Sequence, residues 1–319
     1  MRKIRIGSGV IATVFGRTAR HLSSTGPGQA KLQSSAVVIA HRAGGGQWPQ
    51  NSRTAVLNCI AGAEAQAPEN RCEGMEMDIV LTKDGVPVLS HDPWVHPTLC
   101  TTASGEPIRD RILIRDKTLA QLHSQYLCGG VRERDFPRVT PKAEPIMTLD
   151  EVLQALKKTP QMMLYLDVKI DGDLTADAAD YAKAISERWQ AAGLPNRLYI
   201  EGPSAESLSA YRSAIKTNFV PVLSYPAFSV KENFTWTAIK ARWLTKLRLR
   251  SPLAVARKER AGAVAGPTQV ITRHAAREAR DNGVKVVVFT PNTREDLERY
   301  CSWPVDVLIT DYPDLGHCP

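Results

Sequence analysis

No run in this sequence of 319 residues approaches the roughly 18 consecutive apolar residues of a membrane-spanning helix, so a helical span is excluded. Aromatic residues are scarce, at 6%, although 43% of the chain is hydrophobic, which leaves Val, Ile, Leu and Ala to build the core. No repeat of solenoid length and no low-complexity tract interrupts the chain. The six cysteines, Cys59, Cys72, Cys100, Cys128, Cys301 and Cys318, contain no CxxC pair to suggest zinc and are too few for a disulfide scaffold. Scattered thiols are the expectation, with a Cys72–Cys100 bridge open to an exported protein.

Acids are missing from the first 35 positions, which hold Arg2, Lys3, Arg5, Arg17, Arg20 and Lys31. A second basic stretch, 231–260, carries nine basic and two acidic side chains. The two together exceed the formal net charge of +8, so the rest of the chain is net negative by about five. That distribution implies a body with two basic appendages and not a nucleic-acid-binding surface. Residues 1–35 form a basic N-terminal extension with a charged start, MRKIR, a short apolar middle, IGSGVIATVFG, and a small-residue cleavage candidate, SSA at 34–36. This reading leans to an exported or periplasmic protein, with an organelle transit peptide and a cytoplasmic tail left open.

Short apolar runs alternate with helical patterns, the signature of parallel βα units. Eight runs read as strands: 36–40, 74–81, 86–90, 162–168, 197–201, 218–224, 285–289 and 305–310. Helical patterns cover 52–67, 149–158, 176–192, 204–215, 273–282 and 294–301. The implied fold is α/β, a (β/α)8 TIM barrel forming a single domain over 36–314. Two insertions are expected, a loop-rich one after the third strand at about 93–145 and a basic helical one late in the barrel at about 225–268.

The chemistry is announced by polar residues at strand ends. Side chains alternate along a strand, so in Met75-Glu76-Met77-Asp78-Ile79 the two acids share one face and the apolar residues the other. If the apolar face packs on helices, both carboxylates enter the barrel, where two unpaired negative charges need a cation. Asp167 and Lys169 repeat the spacing on another strand, adding a third carboxylate and an ammonium able to meet a phosphate oxygen. Donors that are all oxygen point to one divalent cation, Mg2+ or Ca2+. His41 follows the first strand and His91 the third, and the C-terminal ends of barrel strands converge on one mouth. Two imidazoles flanking a metal-bound diester can take and give protons near neutral pH. His96, His123, His274 and His317 are read as structural.

At these residues the chain resembles the glycerophosphodiester phosphodiesterases. HRAGGGQWPQNS at 41–52, GMEMDIVLTKDGVPVLSHDP at 74–93, PIMTLDEVL at 145–153, LYLDVK at 164–169 and VDVLITDYPD at 305–314 stand in that family's order. The resemblance implies that His41 and His91 are the acid and base, that Glu76, Asp78 and Asp167 hold the metal, and that Arg42 and Lys169 bind the substrate phosphate. It also implies attack by a neighbouring substrate hydroxyl, a cyclic phosphate, and its opening by water to glycerol 3-phosphate. The chain departs from the family pattern at Ala43, Gln50, Ser52, Asp167 and the Phe289-Thr290-Pro291-Asn292 block. Gln50 replaces a carboxylate by an amide, and Asp167 is one methylene shorter than the usual Glu.

Residues 236–253 carry Trp236, Ile239, Trp243 and Leu247 at helical spacing among basic side chains, a pattern suited to peripheral contact with an anionic membrane or to packing on the barrel rim. On the first of these readings a lysophospholipid joins the small glycerophosphodiesters as a substrate. The competing functions are therefore a lysophospholipase D or sphingomyelinase-D-like activity, and an inert barrel that binds phosphodiesters or membranes.

Overall fold

The computed structural model describes residues 36–65, 72–226 and 252–318. The chain opens with β1 (Val37–Ala40), a 3-10 turn and α1 (Arg53–Ala65), followed by β2 (Gly74–Leu81) and a short hairpin strand, β3 (Pro87–Leu89). An excursion then holds β4 (Cys100–Thr102), α2 (Leu119–Gln125) and β5 (Tyr126–Cys128) before α3 (Leu149–Leu156). From there the alternation is regular: β6 (Met163–Val168), α4 (Ala178–Ala192), β7 (Leu198–Gly202), α5 (Ala205–Ala214) and β8 (Val220–Ser224). It continues through α6 (Pro252–Lys258), β9 (Ala263–Pro267), α7 (Arg273–Asp281), β10 (Lys285–Phe289), α8 (Arg294–Cys301) and β11 (Val307–Thr310). β1, β2 and β6 to β11 pair in parallel, and β1 bonds to β11 on one side and β2 on the other, which closes the TIM barrel.

The two faces of each strand do different work. Met75, Met77 and Ile79 of β2 and Leu164, Leu166 and Val168 of β6 turn outward into the layer between sheet and helices. Ile39, Met163, Tyr165, Tyr199, Val222, Ala265, Val287 and Ile309 turn inward and fill the barrel, so it is a packed core below its mouth. Gly74 occupies one inward position because a Cβ there would lie 2.7 Å from both Ile39 Cγ2 and the Met163 carbonyl oxygen. Helix starts are fixed locally: Thr148 with Glu151, and Ser204 with Ser207, form reciprocal caps on α3 and α5.

Two sequence expectations are corrected. Residues 86–90 are not a barrel strand, because β3 runs antiparallel to β2 on its outer flank, with Ile79 opposite Leu89. The missing barrel strand is β9, whose sequence AVAGP lies within the stretch read as insertion. Gly and Pro argue against a strand interior, but a parallel strand buried on both faces needs no alternation, and Gly266 admits the Tyr225 carbonyl, which would lie 2.7 Å from a Cβ. The membrane expectation for 236–253 falls outside the described residues except at Pro252 and Leu253, which are buried at the start of α6. Residues 1–35, with their targeting expectation, also lie outside them. No helix among the described residues is long and apolar enough to cross a membrane.

The thiol expectation is overturned as well. All six cysteines pair, as Cys59–Cys72, Cys100–Cys128 and Cys301–Cys318, and none is free. Cys72 stands at the start of β2, away from the mouth, within reach of Cys59 on α1, while Cys100 faces Cys128 in the register of the β4–β5 ladder. The Cys72–Cys100 pairing therefore does not occur. Thiol titration of denatured, unreduced protein is expected to find no thiol, and six after reduction; six before reduction would restore the original expectation. Replacing one pair, as in C100S/C128S, is expected to lower the unfolding free energy in urea by about 2–4 kcal/mol.

Candidate active site

Period-two alternation carries the inward face of each strand up to the mouth, where apolar residues give way to polar ones. His41 continues β1, Glu76 and Asp78 stand on β2, Asp167 on β6, Glu201 on β7 and Ser224 on β8, and all line one cavity of about 530 Å³. Arg42, His91 and Lys169 line it too, so the seven residues singled out in the sequence lie together. His91 arrives by another route than expected. β3 turns back along the extended end of β2, the Ser90 amide bonds to the Asp78 carbonyl at 3.1 Å, and the next residue is delivered to the mouth from outside the barrel.

Carboxylates dominate the centre. Asp78 and Asp167 are opposite each other in the β2–β6 register, and Glu76, Asp78 and Asp167 offer oxygens within 4.8 Å of one another. Lys169 Nζ lies 2.8 Å from Asp78 and 2.5 Å from Asp167, and Arg42 Nε lies 3.3 Å from Asp78. Burial opposes ionisation of Asp78, yet Lys169 and Arg42 hold it well below the usual carboxylate range. At Glu76 the balance falls the other way, the pull of Lys169 being the smaller effect. Burial first, then repulsion from Asp78 and Asp167, pushes its pKa well above the usual range, despite a 2.8 Å bond from the Arg42 amide. Three carboxylates against two fixed cations leave the cluster short of positive charge, and hard oxygen donors at this spacing fit one divalent cation.

Each imidazole has a carboxylate behind it. His41 Nδ1 lies 2.6 Å from Asp311 Oδ1, which leaves Nε2 facing the cluster, 3.8 Å from Glu76. Asp311 is itself held by the Asn292 side-chain amide and receives its other orientation from its own backbone amide, 3.0 Å from Asn292 Oδ1. His91 Nδ1 lies 3.2 Å from Asp92, whose second oxygen meets His96 at 3.3 Å. Burial, with Arg42 and Lys169 nearby, lowers the His91 pKa below the usual imidazole value. Arg42 reaches its place through a left-handed backbone, φ 51°, in a short run with Ala43 and Gly44 that folds the chain sharply over the strand end.

Some residues of the site were missed in the sequence. Asp311 and Glu201 follow or end inward-facing strand runs, the same signal that marked Asp167, and would have been found by applying it to every strand. Glu201 accepts hydrogen bonds from Tyr165 at 2.5 Å and from Ser224, and burial with Asp167 opposite raises its pKa to about 8. Asn51, whose side chain donates to Asp78 at 2.7 Å, carried no such signal because it comes from a loop.

The family model for the glycerophosphoryl diester phosphodiesterase family matches residues 41–315. Glycerophosphodiester phosphodiesterase of Bacillus subtilis is 24% identical over 88% of this chain and 85% of its own length. Glycerophosphodiester phosphodiesterase 1 of Bos taurus is 28% identical over 64% of this chain, and the match spans about half of the bovine protein's length, 49%. Among solved structures, an Oleispira antarctica phosphodiesterase in complex with the product sn-glycerol-3-phosphate superposes with a TM-score of 0.61 at 21% identity, covering 87% of this chain and 93% of that one. A Silicibacter pomeroyi structure named for the same activity gives 0.72 at 21% identity, covering 88% and 92%. At these identities the superpositions establish the shared barrel.

The Asp311 contact is testable by itself. In Asp311→Asn the His41 Nδ1 proton, held by a carboxylate and so displaced downfield in proton NMR, is expected to vanish from that region while circular dichroism stays unchanged; an undisturbed signal would remove Asp311 as its holder.

Proposed function

The chain belongs to the glycerophosphoryl diester phosphodiesterase family, and from that premise we propose that it hydrolyses glycerophosphodiesters to glycerol 3-phosphate and an alcohol. The observation that carries the proposal is the meeting of two carboxylate-backed imidazoles, a guanidinium and an ammonium around a three-carboxylate cluster in one cavity. Glu76, Asp78 and Asp167 would hold one divalent cation, Mg2+ or Ca2+, which supplies Lewis-acid charge to the phosphate oxygens when bound.

The residues divide the remaining work. Arg42 and Lys169 bind and orient the diester, their charges fixed by Asp78 and Asp167. His91, kept neutral at neutral pH by its surroundings, removes the proton from the neighbouring glycerol hydroxyl as that oxygen attacks phosphorus. His41 gives a proton from Nε2 to the departing alcohol oxygen, its ring held through Nδ1 by Asp311. The product is a cyclic phosphate, and water opens it with the two imidazoles in exchanged roles. The three disulfides support a site in an oxidising compartment, in keeping with an exported protein.

A panel of small diesters, assayed for released glycerol phosphate, tests the whole. EDTA is expected to abolish turnover and added Mg2+ or Ca2+ to restore it, while His41→Ala and His91→Ala each lose about 10²- to 10⁴-fold; absence of turnover on every diester would favour an inert binding barrel. The pH profile follows from the sign of the His91 shift. A base with a lowered pKa stays deprotonated to lower pH, so the acid limb of kcat/KM is expected below about pH 6.5, the ordinary imidazole value. A limb at or above that value would remove His91 from the role of base.

A further inference from the structure

Arg42 is held from two sides, and the second does not belong to the barrel. Its Nε end faces Asp78 on β2, 3.3 Å away, an ion pair in which the buried Nε–H makes no hydrogen bond. Its terminal Nη1 donates to Gln50 Oε1, in the loop after β1, and Gln50 Nε2 donates in turn to Glu133 Oε2. Glu133 lies 83 residues from Gln50, in the excursion between β5 and α3. A primary amide can serve both partners in one orientation only, oxygen toward the guanidinium and nitrogen toward the carboxylate. The chain Arg42–Gln50–Glu133 therefore has a definite direction and passes negative charge to the far end of the guanidinium.

The packing around these contacts is specific. Gln50 leans on Gly45, where a Cβ would lie 3.1 Å from the Gln50 Cβ. The segment leading to Glu133 leaves β5 at Cys128, whose disulfide partner is Cys100, and is bonded on through Gly129 to the Leu99 carbonyl at 2.8 Å. Gln50, Glu133, His91 and this disulfide line one small cavity of about 50 Å³ beside the mouth. The excursion is thus fastened at its base, lines the mouth with Pro93 and Trp94, and reaches Arg42 through the Glu133 carboxylate and Gln50.

We propose that Glu133 is a positioning residue for the phosphate-binding Arg42, acting through Gln50, so that the excursion completes the anion site of the barrel. This rests on the proposed activity only for its kinetic readout. A guanidinium held at one end only by charge attraction rotates about its long side chain; a directional hydrogen bond at the other end fixes the plane that meets the phosphate oxygens.

Two measurements are made on the full chain: affinity for inorganic phosphate by calorimetry in the presence of Mg2+, and kcat and KM on glycerophosphocholine. Glu133→Ala is expected to weaken phosphate binding and raise KM on the order of tenfold, with kcat changed less. Glu133→Gln is the near-isosteric control should the alanine variant misfold, and is expected to weaken both in the same direction. Q50E alone sets two carboxylates against each other and is expected to be as poor. The double variant Q50E/E133Q places the carboxylate directly against Arg42 with the amide behind it, and is expected to recover wild-type affinity within about threefold. A scaffold role would not respond to this exchange. Phosphate affinity within twofold of wild type in both Glu133 variants, or a folded double variant that recovers nothing, would overturn the inference. Wild-type protein that binds phosphate but turns over no diester would overturn the proposed activity and leave the binding test standing.

Discussion

The constraint on which the site depends is the repulsion among Glu76, Asp78 and Asp167, three acids brought within 4.8 Å by two adjacent strands. Carboxylates at that distance in a buried mouth cannot all ionise without counter-charge. Lys169 pairs with both Asp78 and Asp167 and Arg42 with Asp78, while burial and the two neighbouring acids hold Glu76 well above the usual carboxylate range, so the cluster calls for further positive charge. Burial, with Arg42 and Lys169 nearby, in turn lowers the His91 pKa. The raised Glu76, the paired Lys169 and Arg42 and the lowered His91 are three consequences of one charge distribution.

Much of this was legible in the chain because strand alternation is a strict rule. Met75, Met77 and Ile79 had to face the helices if anything did, and that sent Glu76 and Asp78 inward. The same rule places Asp167 beside Asp78 once β6 pairs with β2. What alternation could not supply was the path of His91. A histidine after an apolar run looks alike whether the run is a barrel strand or a hairpin strand folded back on its neighbour, and only the pairing of Ile79 with Leu89 distinguishes them.

β9 was hidden for the opposite reason. Its inward positions, Ala263 and Ala265, are small, and Gly266 accommodates a neighbouring carbonyl, so the strand has neither alternation nor bulk to announce it. The disulfides were hidden because pairing depends on distances across the fold: Cys100 and Cys128 are 28 residues apart, yet opposite in the β4–β5 ladder. Asp311 was within reach of the strand-end rule, and Asn51 was not, since a loop residue acquires its partner only when the loop is folded.

The excursion between β3 and α3 shows how a barrel acquires parts its strands do not encode. It has a small core of its own, with Val95, Ile108, Ile114, Leu122 and Ile146 packed on Val80 and Val88 of the β2–β3 hairpin. That core packs against the hairpin, and the hairpin leads directly to His91. The excursion's other end carries Glu133 to the amide at Gln50, where the family pattern has a carboxylate within the barrel loop itself. One inserted segment therefore bears on both His91 and Arg42. With an amide at position 50, the carboxylate that this chain of contacts offers to Arg42 is that of Glu133, one residue farther away and relayed by Gln50, so a rim segment bears on a residue of the scaffold it covers.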